Sequence, residues 1–181
     1  IFYLTAKTIT RTVAKEAFDL LRKQGYQGRV ITITAKEKLC FCDEMDCNPV
    51  NCVYAKGHYD RVNDAVFDLL QKERDITREV LAQQAEEYQV CPFEMCLDLS
   101  LWVDDIICDY NYVFDPNVYL KRFFAEGVKG DYLFLVDEAH NLVDRAREMY
   151  SGALYKEDFL RFKKVMGSHS KKCAQAFGRC N

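Results

Sequence analysis

Apolar residues change rhythm several times along this chain, and each change marks the edge of an element. Residues 1–4 form a short apolar run of strand length. Residues 10–23 follow at helical spacing, with Val13, Ala17, Leu20 and Leu21 on one side. Gly25 and Gly28 then break the pattern before a second strand at 30–34. The cysteine-rich stretch beyond it has neither period, so it must be held by something other than an apolar core. Two helices are predicted next, 59–71 carrying Val62, Val66, Leu69 and Leu70, and 76–88 with Asp75 or Thr77 as its cap. Residues 93–102 read as helix and 106–108 as a short strand, Pro116 opens a helix reaching Phe124, and 132–136 is an apolar strand. A last helix begins at 156–165. Strand, helix and strand joined by short links predict an α/β fold with a parallel sheet, into which the cysteine region is inserted.

Composition narrows the class. The chain has 181 residues, of which 49% are hydrophobic and 29% charged, enough to bury a core in one domain with an insertion. No apolar run approaches the roughly eighteen residues that span a bilayer, and residues 1–6 lack the charged start and long apolar centre of a signal peptide. A cytoplasmic location is the expectation, with no membrane partner. The first residue is Ile, inside a strand, and the last follows a Lys-rich stretch, which reads as a piece of a longer protein. A net charge of -3 gives no global electrostatic case for nucleic acid, so any such binding has to be local. Nine cysteines are an odd number and come without a signal peptide, which argues against a disulfide framework.

The strand at 132–136 runs into Asp137, Glu138, Ala139 and His140, spelling LFLVDEAH from Leu133. Two carboxylates at the carboxyl end of a strand are how P-loop ATPases hold Mg2+ with one and polarise the attacking water with the other. The plainer reading is a solvated strand-to-helix turn, where acids near a helix start are favourable anyway. The four residues DEAH directly after an apolar strand favour the first, with His140 placed to couple nucleotide state to a nucleic-acid side.

Cys40, Cys42, Cys47 and Cys52 crowd into thirteen residues, and Cys91 and Cys96 follow after a helical interval. Cys40, Cys47, Cys52 and Cys91, spaced x6, x4 and x38, supply four thiolates, and Cys91 precedes Pro92 as the closing ligand of many ferredoxin clusters does. An iron-sulfur cluster, a four-cysteine zinc site and free core thiols are the three readings, and the absence of two close x2 pairs disfavours zinc. Cys42 and Cys96 are alternative ligands, but Cys96 falls in a predicted helix and Cys42 lies only two residues from Cys40, while Cys108 reads as a small core residue.

LTAKT, residues 4–8, ends the first strand with hydroxyls and a lysine that can meet backbone phosphates or simply cap the helix behind them. Lys36 and Lys38 precede the cysteines, and Lys56, His58 and Arg61 follow them, with Tyr54 and Tyr59 interleaved. This rim reads either as a solvated face or as backbone contact with base stacking.

Taken in order, LTAKT, KEKLC with three further cysteines ending in CPF, CDYNYVFDP and FLVDEAH resemble the iron-sulfur superfamily 2 DNA helicases of the XPD and DinG type. The resemblance covers nearly the whole chain. It implies an incomplete RecA-like P-loop NTPase sheet with a mainly helical cluster insertion. The implied layout is 1–35 as the first part of motor domain 1, 36–95 as the cluster insertion, 96–150 as the motor continued through the DEAH box, and 151–181 as the start of the arch. It further implies ATP-driven 5' to 3' movement on single-stranded and forked DNA, in repair or replication, by a monomeric motor. Carried over, Thr5, Lys7, Thr8 and Lys36 contact DNA, and Cys40, Cys47, Cys52 and Cys91 bind a 4Fe-4S cluster. Asp137 holds the Mg2+ of Mg-ATP, Glu138 is the catalytic base, and His140 links hydrolysis to movement. No GxxxxGK followed by Ser or Thr occurs, so this chain alone is expected neither to bind ATP tightly nor to hydrolyse it. The competing class is a non-enzymatic nucleic-acid-binding module stabilised by zinc or iron-sulfur, in which the acidic box is only a turn.

Overall fold

The computed structural model describes residues 1–6 and 8–180. It divides into two compact units, 1–146 and 147–181. In the first, strands β1 (Phe2–Thr5), β2 (Val30–Thr32), β3 (Asp75–Ile76), β4 (Asp105–Asp109) and β5 (Phe134–Val136) form one sheet in the order β3-β2-β4-β1-β5. Every pairing is parallel, with Leu4 of β1 beside Cys108 of β4 on one side and Val136 of β5 on the other. The parallel α/β sheet expected from the strand-helix-strand pattern is therefore present. The central strands carry its core: Leu4, Ile31 and Ile107 are at most 1% exposed. Parallel strands covered on both faces need such continuous apolar runs.

Helix α1 (Thr8–Lys23) returns the chain from β1 to β2 and buries Ala14 and Phe18 against Val30 and Ile107. The expected face was Val13, Ala17, Leu20 and Leu21, and this is corrected: Val13, Leu20 and Leu21 are exposed. Apolar residues occupy much of the circumference of α1, so periodicity alone does not choose the stripe. The i, i+4 pair of a small Ala14 and a large Phe18 lets the backbone approach the sheet while one ring fills the gap. Gly25, at φ +97°, ends α1 as the left-handed residue behind it, its amide bonded to the Arg22 carbonyl at 2.9 Å.

After β2 come a single turn, α2 (Lys36–Leu39), an irregular cysteine loop, and α3 (His58–Lys72). Ile76, expected to start a helix, instead lies in β3, paired with Ile31. Thr77 is the cap of α4 (Arg78–Glu87), its hydroxyl accepting the Val80 amide at 3.4 Å. Helix α5 (Pro92–Leu99) has Pro at its start and buries Met95, Cys96 and Leu99 before a 3-10 turn at Ser100–Trp102.

The helix expected from Pro116 to Phe124 is not continuous. Only α6 (Asn111–Phe114) and α7 (Lys121–Phe124) are helical, each one turn long. Between them Asp115 takes the Asn117 amide on its own side chain at 2.8 Å, a local bond that competes with helix propagation. Beyond β5, a 3-10 turn at Ala139–Asn141 leads into α8 (Leu142–Met149). In the second unit, α9 (Lys156–Met166) and α10 (Lys171–Arg179) pack through Phe159, Phe162 and Phe177. Ser170 caps α10 by accepting the Cys173 amide.

Candidate functional site

The residues singled out in the sequence gather along one edge of the sheet, where the carboxyl ends of the strands emerge. In open α/β sheets this is the edge at which ligands bind. Asp137 and Glu138 leave β5, Thr5 ends β1, and α2 with the cysteine loop leaves β2. In the strand order, β5 and β2 stand three positions apart, roughly 14 Å along the edge at the usual strand spacing.

The acidic box is fixed by its backbone, with Asp137 half-buried and Glu138 exposed. The Asp137 amide donates to the Leu4 carbonyl at 3.0 Å, which continues the β1–β5 ladder by one step. The Asp137 carbonyl accepts the hydroxyl of Tyr110, a fully buried ring at the end of β4. Burial, and then the Asp137 and Glu138 charges, push the Tyr110 hydroxyl above its ordinary pKa, so it remains a donor. Glu138 stands in the left-handed region at φ +50°, an uncommon conformation for a side-chain-bearing residue, and this kink turns the chain from strand to helix. Its carboxylate faces His140 Nδ1 at 3.2 Å, and both side chains are exposed. Arg145 of α8 donates to the Asn111 side chain at 3.0 Å and lies 3.5 Å from Asp109, tying the turn behind the box to the end of β4.

Thr5 is fully buried, and its hydroxyl donates to the Cys108 carbonyl at 3.4 Å, leaving it no surface for a phosphate. Lys7 lies outside the described residues. Thr8 begins α1.

Four expected cysteine ligands come together. Cys40, Cys47, Cys52 and Cys91 line one cavity of about 220 Å³, with Cys42 as a fifth. Cys96 and Cys108 do not line it and are fully buried, in α5 and β4. Burial lifts the Cys96 thiol to about 12 and the Cys108 thiol higher still, as suits inert core sulfurs. The Cys91 thiol is raised by burial, against which the amides of Glu94 and Phe93 pull, and the Cys42 thiol reaches about 11 through burial and then the neighbouring Cys52. Lys36 is held charged above its ordinary range first by the Cys47 sulfur, and its ammonium sits 5.9 Å from the Phe93 ring centre. Among the described residues no three Cys, His, Asp or Glu side chains converge on a single ion position. The donor set is five cysteines lining one cavity, with the Lys36 ammonium beside it. Thiolates in such a cavity are the donors that soft metals take.

Two residues read from the sequence as part of a basic rim, His58 and Arg61, instead brace the cysteine loop. His58, 3% exposed, accepts the Cys91 amide on Nδ1 at 3.2 Å, and its Nε2 lies 3.9 Å from the Asp98 carboxylate, which Arg122 also binds. Burial holds the His58 ring below its ordinary pKa, in the neutral form that can accept this bond. Arg61 donates to the carbonyls of Lys56 at 2.8 Å and Tyr88 at 3.0 Å, clamping the exit of the cysteine loop onto the turn before Cys91. His58 and Arg61, expected in a basic rim, thus face inward. A groove of about 710 Å³ adjoins the cavity and shares Lys36, Phe93 and Glu94 with it; Lys38 and Lys121 bring positive charge to its wall, Glu37 and Asp109 bring negative charge, and Arg122 is paired with Asp98 and Glu94.

A family model described as DEAD_2 matches residues 8–159. The Fanconi anemia group J protein homolog of Gallus gallus is 34% identical over 73 residues, covering 40% of this chain and 6% of that protein. The regulator of telomere elongation helicase 1 homolog of Oryza sativa subsp. japonica is 23% identical over 145 residues, covering 74% of this chain and 14% of that protein. This chain therefore spans a small part of the length of these relatives. A solved structure of truncated XPD superposes with a TM-score of 0.57 at 17% identity, over 99% of this chain and 51% of that one, and so shares its fold.

Proposed function

Because the chain belongs to the DEAD_2 family, we propose that it is a section of an ATP-dependent DNA helicase, in which hydrolysis drives movement along single-stranded DNA and separation of the duplex. One observation carries the reading: consecutive carboxylates, Asp137 and Glu138, at the carboxyl end of parallel strand β5. In this role Asp137 binds the Mg2+ of Mg-ATP and Glu138 takes the proton of the attacking water. His140, within reach of Glu138, reports nucleotide state to the DNA side. Lys36, with Lys7 and Thr8 of the LTAKT stretch, contacts the DNA backbone, and the buried Thr5 anchors the end of β1. Lys38 and Lys121 on the adjoining groove extend the positive path locally despite the net charge of -3.

In the same reading Cys40, Cys47, Cys52 and Cys91 ligate a 4Fe-4S cluster, and the DEAH box is the motor's acidic motif. The cluster supplies a rigid cross-link to a loop with no apolar core of its own. The sulfur-lined cavity and the Lys36 charge beside it support this. Residues 36–95 form the cluster insertion, with β3 reaching back into the motor sheet, and 151–181 begin the arch.

The test uses the complete protein that carries this chain. Glu138→Gln removes the base and keeps the shape, so ATP turnover is expected to fall by roughly a hundred- to ten-thousand-fold while single-stranded DNA binding is kept. Turnover retained in that variant would exclude Glu138 as the base and overturn the reading.

A further inference from the structure

Cys42 is the one cysteine of the cavity that the cluster reading leaves without a role, and the fold brings it against Cys52. Their sulfurs lie 3.9 Å apart, although ten positions separate them in sequence. Three brackets hold the two arms of this loop together. Outside the sulfurs, the rings of Phe41 and Tyr54 meet at 4.9 Å between centres. Inside them, the Asn51 side-chain amide donates to the Asp46 carboxylate at 2.6 Å. At the turn, the Cys52 amide donates to the Asn48 carbonyl at 2.8 Å. The contact between the sulfurs is thus built by the loop. A disulfide places its sulfurs about 2 Å apart. The remaining approach is roughly 2 Å, and it falls on a segment without helix or strand, where side-chain rotation and a small backbone shift supply it.

We propose that Cys42 and Cys52 form a redox-active thiol pair, a covalent modification site whose disulfide excludes the cluster. The inference rests on the cluster reading through Cys52, which cannot serve as ligand and disulfide partner at once. A small-molecule disulfide such as oxidised glutathione is the oxidant. The thiolate of one cysteine attacks it, a mixed disulfide forms, and one glutathione leaves as its thiolate. The second cysteine then displaces the other glutathione, closing Cys42–Cys52. Two electrons pass from the protein pair to the glutathione disulfide, and the two protons of the cysteine thiols end on the two released glutathione thiols. Reduction reopens the pair and returns Cys52 to the cavity. Cys40 also borders Cys42, but a bond between them would close over one intervening residue, which strains disulfide geometry.

The experiment treats the full metal-free chain with oxidised glutathione, alkylates the remaining thiols, and identifies cross-linked peptides by mass spectrometry. A second portion is then reconstituted with ferrous iron and sulfide. The expected result is a dominant Cys42–Cys52 linkage and visible cluster absorbance only after a reductant is added. Cys42→Ser is expected to abolish that linkage and to load equally well before and after oxidant treatment. A dominant linkage between other cysteines, or loading of Cys42→Ser that remains sensitive to oxidant, overturns the proposal. A Cys42–Cys52 linkage in a chain that never gains visible absorbance supports the thiol pair and removes the cluster reading, so the two fail separately.

Discussion

Tyr26 donates its hydroxyl hydrogen to Asp105, a carboxylate with 1% of its surface exposed at the start of β4. Beside it the Asp104 side chain takes the Arg29 amide at 2.8 Å, so the loop after α1 is pinned to the strand that separates β2 from β1. Burial and then the Asp105 bond raise the Tyr26 hydroxyl to about 12. Tyr26→Phe leaves a buried carboxylate short of a donor and should lower stability by about 1–3 kcal/mol in denaturant titrations at neutral pH. The sign of the pH dependence follows from the raised pKa. The contribution is complete below the ordinary value of 10.0 and is lost as pH rises toward about 12, so the gap between Tyr26→Phe and the unaltered chain narrows there. A gap that stays constant through this window would show the hydroxyl to be idle. At this scale the sequence was legible where chemistry is consecutive, as in Asp137 and Glu138. It was silent where partners are distant, as in His58 receiving the Cys91 amide or Cys42 meeting Cys52, since only the fold joins such positions.

Capping made one helix boundary a choice between two residues, and the sheet decided it. Asp75 is drawn into β3 by pairing with Val30, which leaves Thr77 to cap α4 through the Val80 amide. Thr77→Ala should therefore cost roughly 0.5–2 kcal/mol, while Thr77→Asn should recover most of it. Thermal melts of both variants check this, and equal losses in the two would refute a capping role. The other departures also have physical causes. Helical spacing was legible in α1, yet the buried face was not, because close approach to the sheet favours Ala14 and Phe18 over the more numerous exposed apolar residues. The helix after Pro116 failed against a side-chain bond at Asp115, and β3 was too short to show a period of its own.

The parallel sheet was legible in the alternation of strand and helix. The order of its strands was not, because β4 returns to lie between β1 and β2. That order leaves β5 at a border. Among the described residues no strand pairs with its far side, and Leu133, Phe134 and Leu135 are 57%, 40% and 42% exposed. An open apolar edge of this kind is a template for pairing with another chain. Leu135→Lys places a charge there and removes one side chain whose burial is worth roughly 1.5–3 kcal/mol, so self-association should weaken about tenfold or more in sedimentation of the isolated chain. Concentration-independent monomers of the unaltered chain would contradict this. If that edge pairs as expected, dilution decides what the isolated polypeptide is in solution: scarce molecules stay separate, and crowded ones join through the hydrogen-bonding groups of β5.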